Sequence, residues 1–394
     1  MNKEKHNENR YSLFCAGCGL CHSAAQVEFQ PDEKGFLYPV AMDRHQIALC
    51  DQVCPFGSNG IMESAHVWGD YRMVCRAWTA DASDRLAASS GGVLTAAAKY
   101  LLETGKVDAV IQSKADPDDL YAAKTVCSAT PQEVQACAGS RYTQTNPLMD
   151  ILQLLEEGKT YAFIGKPCDV TALRNYMKLA PRLEEQIPYL LSFFCAGTPS
   201  RAAHDQILAA MGCEKQSLTG LSYRGNGWPG SFTATAADGR QYTMSYEESW
   251  MKYLGRDIRR SCKFCFDGIG EQADISAGDL WYLTPDRKPD FSEHDGVNIV
   301  FGRTRRGEAL LREMADARKL GCEAVDLEQL KYCQPNHFNK RTTALAKMIG
   351  LKVTGYRCPG FSTRAMLKKV KYISVRKHLG SFYGTLKRAR RGQI

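Results

Sequence analysis

The chain has 394 residues, 44% hydrophobic and 24% charged, the composition of an ordinary globular protein with room for two or three domains. Its net charge of +8 is uneven: 16 of the 51 basic residues and none of the 43 acidic ones lie in 329–394, so a body of −8 carries a tail of +16. Sixteen cysteines are too sparse for a disulfide scaffold, the first ten residues are polar, and no run approaches eighteen apolar residues. A secreted disulfide-rich protein and a membrane-spanning one are therefore not expected; a cytoplasmic protein with cysteines used as metal ligands is.

Residues 1–60 read as an irregular, cysteine-rich module. Cys15-Ala-Gly-Cys-Gly-Leu-Cys21 sets a thiol at every third residue, the spacing of a bacterial ferredoxin loop, and Gly17 and Gly19 allow the tight bend. Cys50-Asp-Gln-Val-Cys54-Pro55 follows, with Gly35-Phe-Leu-Tyr-Pro39 as a turn between the two groups. The spacing points to a 4Fe–4S cluster on Cys15, Cys18, Cys21 and Cys54; a ligand followed by proline commonly closes such a set, and Cys50 is the competitor. A zinc site would rather use two Cys-x-x-Cys knuckles than a triplet. So small a module has too little apolar sequence to fold without its cluster.

A link around Ile61–Arg72 leads into an α/β body with a mixed or largely parallel sheet. Strands are expected at Met73–Trp78, Val107–Gln112, Tyr161–Gly165 and Tyr189–Phe194. Helices are expected at Gly92–Glu103, Leu148–Glu157, Thr171–Lys178 and Pro199–Met211, and the alternation gives the fold class. Leu218–Met244 changes to strand–turn–strand, with Ala237-Asp-Gly-Arg240 as a hairpin turn, and Val297–Asp316 is a further strand–helix unit. Asp274–Trp281 is glycine-broken and polar for a strand and is expected to line a site. The body spans 70–328, and a basic extension fills 329–394.

Within the body, Cys168 and Cys195 each follow a strand, where ligands of open α/β sheets gather, and Cys262-Lys-Phe-Cys265 has the spacing of one metal knuckle. The four could converge on a second cluster, although by spacing alone only the Cys262/Cys265 pair is persuasive. Cys75, Cys127, Cys137, Cys213, Cys322, Cys333 and Cys358 are read as ordinary packing residues. Ala88-Ser-Ser-Gly-Gly-Val93 opens a helix, so Ser89, Ser90, Gly91 and Gly92 could receive an anion such as a flavin phosphate, or simply cap the helix. Gly139-Ser-Arg-Tyr142 and Tyr223-Arg-Gly-Asn-Gly-Trp-Pro-Gly230 offer Arg141, Tyr142, Arg224 and Trp228 to a phosphate and a planar ring, or are surface loops. His22, His45, His66, His204, His294 and His337 are all possible proton donors.

In this order, Cys-Ala-Gly-Cys-Gly-Leu-Cys, Ser-Ser-Gly-Gly-Val, Gly165-Lys-Pro-Cys-Asp-Val-Thr-Ala-Leu-Arg174, Phe194-Cys-Ala-Gly-Thr-Pro-Ser200, the 223–230 loop and the 262–279 segment resemble the beta-subunit family of coenzyme F420 hydrogenase and dehydrogenase. That family includes 7-hydroxymethyl chlorophyll a reductase and divinyl chlorophyllide reductase, and the resemblance runs from about Cys15 to about Leu311. It implies an oxidoreductase with FAD near Ser90, Gly91, Gly92, Arg141 and Tyr142, and a core 4Fe–4S cluster on Cys168, Cys195, Cys262 and Cys265. Electrons would come from ferredoxin or a partner subunit and leave to a small organic acceptor, or to coenzyme F420. Relatives with a ferredoxin-like insert carry two complete cysteine runs; here only enough ligands for one N-terminal cluster remain, giving two clusters in all. Met366–Tyr383 is expected to form an amphipathic helix with a basic face, suited to peripheral contact with anionic lipid at the inner membrane face; a nucleic-acid partner fits its charge but is not favoured.

Overall fold

A computed structural model of the chain describes residues 10–57 and 64–394; part of the link expected at Ile61–Arg72 lies outside them. The strands in chain order are β1 (Phe29–Pro31), β2 (Leu37–Pro39), β3 (Met73–Thr79), β4 (Ala109–Ala115), β5 (Ala123–Ser128), β6 (Tyr161–Gly165), β7 (Tyr189–Phe193), β8 (Leu218–Ser222), β9 (Ser231–Ala236), β10 (Gln241–Ser245), β11 (Ile275–Asp279), β12 (Asn298–Gly302) and β13 (Leu320–Glu323). Eight of them form one mixed sheet in the order β13-β3-β12-β11-β7-β6-β4-β5. The inner strands β11, β7, β6 and β4 run parallel, and antiparallel strands complete both sides. Tyr161-Ala-Phe-Ile-Gly165 and its neighbour Tyr189-Leu-Leu-Ser-Phe193 are apolar along almost their whole length because helices cover both faces of the sheet.

The expected α/β alternation is present, with three differences. Leu148–Glu157 contains only the single helical turn Ile151–Leu154, because the residues before it are committed elsewhere: the Leu148 amide donates to the Cys18 carbonyl at 2.9 Å. That segment is a seat for the cysteine loop, and a Cβ on Gly19 would meet the Met149 amide nitrogen at 2.7 Å. Asp274–Trp281, glycine-broken and polar for a strand, nonetheless contains a central strand, β11. Its polar Ser276 is satisfied by Arg303 Nε at 2.9 Å, and Gly278 leaves room for the Phe194 ring, whose Cδ2 would stand 2.5 Å from a Cβ there. The edge strands β5 and β13 carry no strong apolar signature and escape sequence reading.

The N-terminal segment is more helical than a loop-like module. It holds helices at Arg10–Phe14, Leu20–Ala25 and Arg44–Val53, the last started by a reciprocal cap in which Asp43 accepts from the Gln46 amide at 2.8 Å. Its apolar residues Leu13, Phe14, Ala16 and Phe56 do not form a core of their own. They pack with Phe264 and Phe266 of the body and with Met348, Leu351, Phe361 and Met366 of the C-terminal extension. Both ends of the chain thus close over the same region.

The basic extension folds as helices Pro335–Thr342, Ala344–Val353, Thr363–Leu367 and Val375–Arg390. The single amphipathic helix expected over Met366–Tyr383 is broken between Leu367 and Val375. The reason lies at Lys369, which is fully buried and donates from Nζ to the Ser64 carbonyl at 2.8 Å, turning the chain inward. No helix among the described residues is long and apolar enough to cross a membrane.

Candidate functional site

Because β6 and β7 are parallel neighbours, the residues that follow them emerge side by side. Cys168 lies in the first turn of the helix Pro167–Leu179 after β6, and Cys195 follows β7. Cys262 and Cys265 sit on and just after the short helix Arg260–Phe264. Cys195 and Cys265 act electrostatically on each of the other two, Cys168 and Cys262. Burial, the neighbouring Asp169, and then Cys195 and Cys265 push the Cys168 thiol well up. Burial and Cys262 raise Cys195 to about 11, and burial with Asp267, Cys262 and Cys195 raises Cys265 to about 12. The Thr198 amide points at Cys262 Sγ from 3.4 Å.

Two ammonium groups oppose these shifts. Lys340 favours the thiolates of Cys195 and Cys265, and Lys166 those of Cys168 and Cys195. Lys166 is held by Asp169 Oδ2 at 2.8 Å and Thr145 Oγ1 at 2.6 Å. Burial alone would pull it down, but Asp169 and Cys168 outweigh that and push it up to about 12. Three desolvated thiols, Cys168, Cys195 and Cys265, that discourage one another's ionisation, with Cys262 alongside and cations nearby, fit a ligand set that exchanges protons for metal. Among the described residues no three His, Cys, Asp or Glu side chains converge on one metal ion. A cubane does not require this, since each thiolate binds a different iron.

The N-terminal thiols form a second group. Cys15, Cys18 and Cys21 lie on a loop bent at Gly17 (φ +74°) and Gly19 (φ +89°), both left-handed. Burial raises the Cys18 thiol, and Cys21, Asp169, Cys54 and Cys15 add to it. Cys54, at the end of the helix Arg44–Val53, is raised by burial and by Cys15 and Cys21. Cys50 is also present: its thiol shares a hydrogen bond with Cys21, which holds Cys21 down and Cys50 up. Both candidates for the fourth position therefore face the triplet. Arg259, fully buried, locks this loop to the body through the Cys15 carbonyl at 2.8 Å, Gln144 Oε1 at 2.9 Å and the Leu37 carbonyl. The two thiol groups adjoin, because Asp169 acts on both Cys18 and Cys168, and Cys54, Cys168 and Cys265 border one apolar cluster with Phe14 and Phe264.

The three segments expected to receive a flavin also come together. Ser89 Oγ accepts from the Ser140 amide at 2.6 Å, and the Gly225 and Gly227 loop packs on Leu86 and Ala87. Gly91 and Gly92 have a packing reason of their own. A Cβ on Gly91 would lie 2.7 Å from the Ala77 carbonyl oxygen, and Gly92 (φ +72°) starts the helix Val93–Glu103 against Thr79. Ser90 Oγ donates to the Val297 carbonyl at 3.0 Å. Arg141 is more informative: burial lowers its pKa, and its Nε has no partner. Asn146 Nδ2 and Arg224 Nη2 are also buried donors without acceptors. Tyr142 packs on Trp250, with ring centroids 4.9 Å apart. Arg224 pairs with Asp279 at 2.9 Å and lies over Tyr246, while Trp228 stacks on Trp281 at 4.7 Å and supports the loop. Next to these residues the 225–231 loop and the outer face of the β8–β10 sheet enclose a polar cavity of about 660 Å³.

Of the histidines, His204 is buried between the Ser200 carbonyl (2.9 Å) and Tyr223 Oη (2.8 Å), and burial lowers it to about 4. It braces the aromatic cluster. His337 is buried with its ring against Phe194, and burial lowers it to about 3. His294 pairs with Asp290 at 3.1 Å, and His22 bonds the Val27 carbonyl. Sequence reading missed Lys166, Asp169, Arg259 and Lys340, which have no motif of their own. The Gly-Lys-Pro-Cys-Asp run was the available signal for the first two.

Two family models match the chain, the N-terminal and C-terminal models of the coenzyme F420 hydrogenase/dehydrogenase beta subunit, the first over residues 74–153 and the second over 158–328. The coenzyme F420 hydrogenase subunit beta of Methanococcus voltae is 25% identical over 302 residues, covering 73% of this chain and 99% of that protein. The chloroplastic 7-hydroxymethyl chlorophyll a reductase of Oryza sativa is 29% identical over 222 residues, covering 56% of this chain but only 45% of that protein. A chain of the F420-reducing [NiFe] hydrogenase complex of Methanosarcina barkeri superposes with a TM-score of 0.56 at 21% identity, over 74% of this chain and 98% of that one, and shares the fold.

Proposed function

This chain belongs to the coenzyme F420 hydrogenase/dehydrogenase beta-subunit family, and from that premise we propose that it is an iron–sulfur flavoprotein oxidoreductase passing electrons from ferredoxin or a partner subunit to an organic acceptor. The observation that supports the reading is that nine thiols, Cys50 included, fall into two groups that adjoin at Asp169, which acts on both Cys18 and Cys168. When bound, two 4Fe–4S clusters and an FAD supply the single-electron and hydride chemistry. The chain supplies the rest. Cys15, Cys18, Cys21 and Cys54 hold the entry group, with Cys50 in reserve. Cys168, Cys195, Cys262 and Cys265 hold the inner one, where Lys166 and Lys340 balance charge and Phe14 and Phe264 keep water out. Ser89, Ser90, Gly91, Gly92 and Tyr142 would border a flavin, the unpartnered donors of Arg141 and Asn146 would be available to its polar groups, and Arg224 and Trp228 fix the loop beside that place.

The alternative within the same family is an electron-transfer subunit that uses coenzyme F420, as the names of the F420 hydrogenase and formate dehydrogenase relatives describe for those proteins. Anaerobic protein reduced with dithionite and mixed with F420 separates the two. Rapid reoxidation of the flavin makes F420 the acceptor; no reoxidation leaves a different organic acceptor.

We also assign the C-terminal extension a peripheral contact with anionic membrane. Val375, Leu379 and Tyr383 lie one above another on the exposed face of helix Val375–Arg390, flanked by Arg376, Lys377 and Lys387. Co-sedimentation with phosphatidylserine vesicles, and not with phosphatidylcholine ones, is the expected result. Absence from both pellets removes the assignment.

A further inference from the structure

Residues 329–394 lie beyond both family-model matches, yet helix Pro335–Thr342 runs directly against the inner cysteine group. Lys340 has only 9% of its surface exposed, and its Nζ donates to the carbonyl of Ala196, the residue after Cys195. Its charge acts on Cys195 and Cys265 together. The following residue, Arg341, is fully buried and bonded to the Phe266 carbonyl at 3.1 Å, to the Val67 carbonyl and to Glu271, so the helix cannot swing away. One turn before, His337 packs on Phe194.

Arg341 and Lys347 also act on Cys265, but Lys166 and Lys340 are the cations that act on Cys195, and these two differ in one respect. Lys166 is neutralised by Asp169 at 2.8 Å. Among the described residues no carboxylate forms an ion pair with Lys340. A desolvated ammonium without a carboxylate is costly unless another anion stands beside it. Among the described residues the groups its charge acts on are Cys195 and Cys265, which become anions when they bind metal.

We propose that Lys340 is the fixed counter-charge of the inner cluster, so that the basic extension is part of the redox centre and raises its reduction potential. This rests on the cofactor reading above. Reduction adds one electron to the cluster and, with no proton taken up by Lys340, leaves one more negative charge facing an unchanged positive one. The reduced form gains more from that charge than the oxidised form. Lys340 is a positioning residue: it acts on the cluster through space and ligates nothing.

The test is a redox titration followed by electron paramagnetic resonance, on anaerobically purified full-length protein with iron measured on every sample. K340Q, which keeps a donor for the Ala196 carbonyl, should shift the inner reduction equilibrium about tenfold toward the oxidised form, about 59 mV for a one-electron couple. K340R should stay close to wild type, and the N-terminal cluster should titrate unchanged in both. Loss of inner iron from K340Q but not from K340R also supports the counter-charge. Full iron with an unmoved potential in K340Q overturns it, as does equal loss of iron from both variants, which marks a packing role. Wild-type protein without iron instead ends the cofactor reading on which the proposal stands.

Discussion

Replacing Arg341 by methionine should destabilise the protein by about 3–5 kcal/mol, the expected cost of stranding a buried charge partner. Its guanidinium has no exposed surface and joins three separate parts of the chain: the Val67 carbonyl before β3, the Phe266 carbonyl and Glu271 after the Cys262/Cys265 knuckle, and its own helix. The Glu271 and Asp267 side chains are themselves buried, so removing the cation leaves two desolvated carboxylates, with Arg303 and backbone amides as the remaining groups that offset Asp267. A urea unfolding midpoint, compared between wild type and R341M at unchanged slope, reads this directly. Adding E271Q to R341M should return part of the loss, because the double variant no longer buries that unpaired charge. A change under about 1 kcal/mol in R341M, the level of an exposed ion pair, would mean that the extension does not close on the body as described.

The second large effect concerns the two thiol groups. Cys18→Ala and Cys265→Ala should each remove about four irons, one cubane's worth, from anaerobically purified protein. They should differ in what else is lost. Cys18 lies on a loop tied to the body at Leu148 and, through Arg259, at Gln144, so the loop reaches the 139–146 segment; among the described residues no hydrogen bond joins the Cys18 thiol itself to Ser89–Gly92, Arg141 or Asn146. C18A should therefore keep its flavin, and dithionite should still reduce it. Reduction by ferredoxin or the partner subunit should fall to background, because the entry group is broken. Turnover of C18A with the physiological donor at the wild-type rate contradicts the assignment of Cys15–Cys21 as the point of entry.

The fold was legible in the sequence where burial leaves a compositional mark. Apolar runs such as Tyr161–Gly165 and Tyr189–Phe193 announced the parallel centre of the sheet, and the period change after Leu218 announced the smaller one. Spacing marked the Cys15–Cys21 triplet and the Cys262/Cys265 pair as candidate ligands, whereas Cys168 and Cys195 carry no spacing signal and stood out only by their place after strands. What stayed hidden were interactions whose partners are backbone carbonyls, which every residue carries and no motif marks. Arg341, Lys369 and Lys340 read as solvated charges in a basic tail, yet they are buried on the carbonyls of Val67, Ser64 and Ala196. The same holds for Arg259, whose contacts with the Cys15 and Leu37 carbonyls bind the entry loop from 244 and 222 residues away. Asp274–Trp281 misled for the opposite reason: Gly278 and Ser276 look unlike a strand, but one makes room for Phe194 and the other satisfies Arg303.

The central claim is that the two thiol groups hold iron–sulfur clusters in electrical contact with a flavin. Metal analysis and flavin release from one anaerobic preparation of the full-length protein test it most directly. The account predicts roughly eight irons with one FAD per chain, as two cubanes require. A colourless protein carrying zinc, or iron-free protein after anaerobic purification with its cysteines reduced, would contradict it.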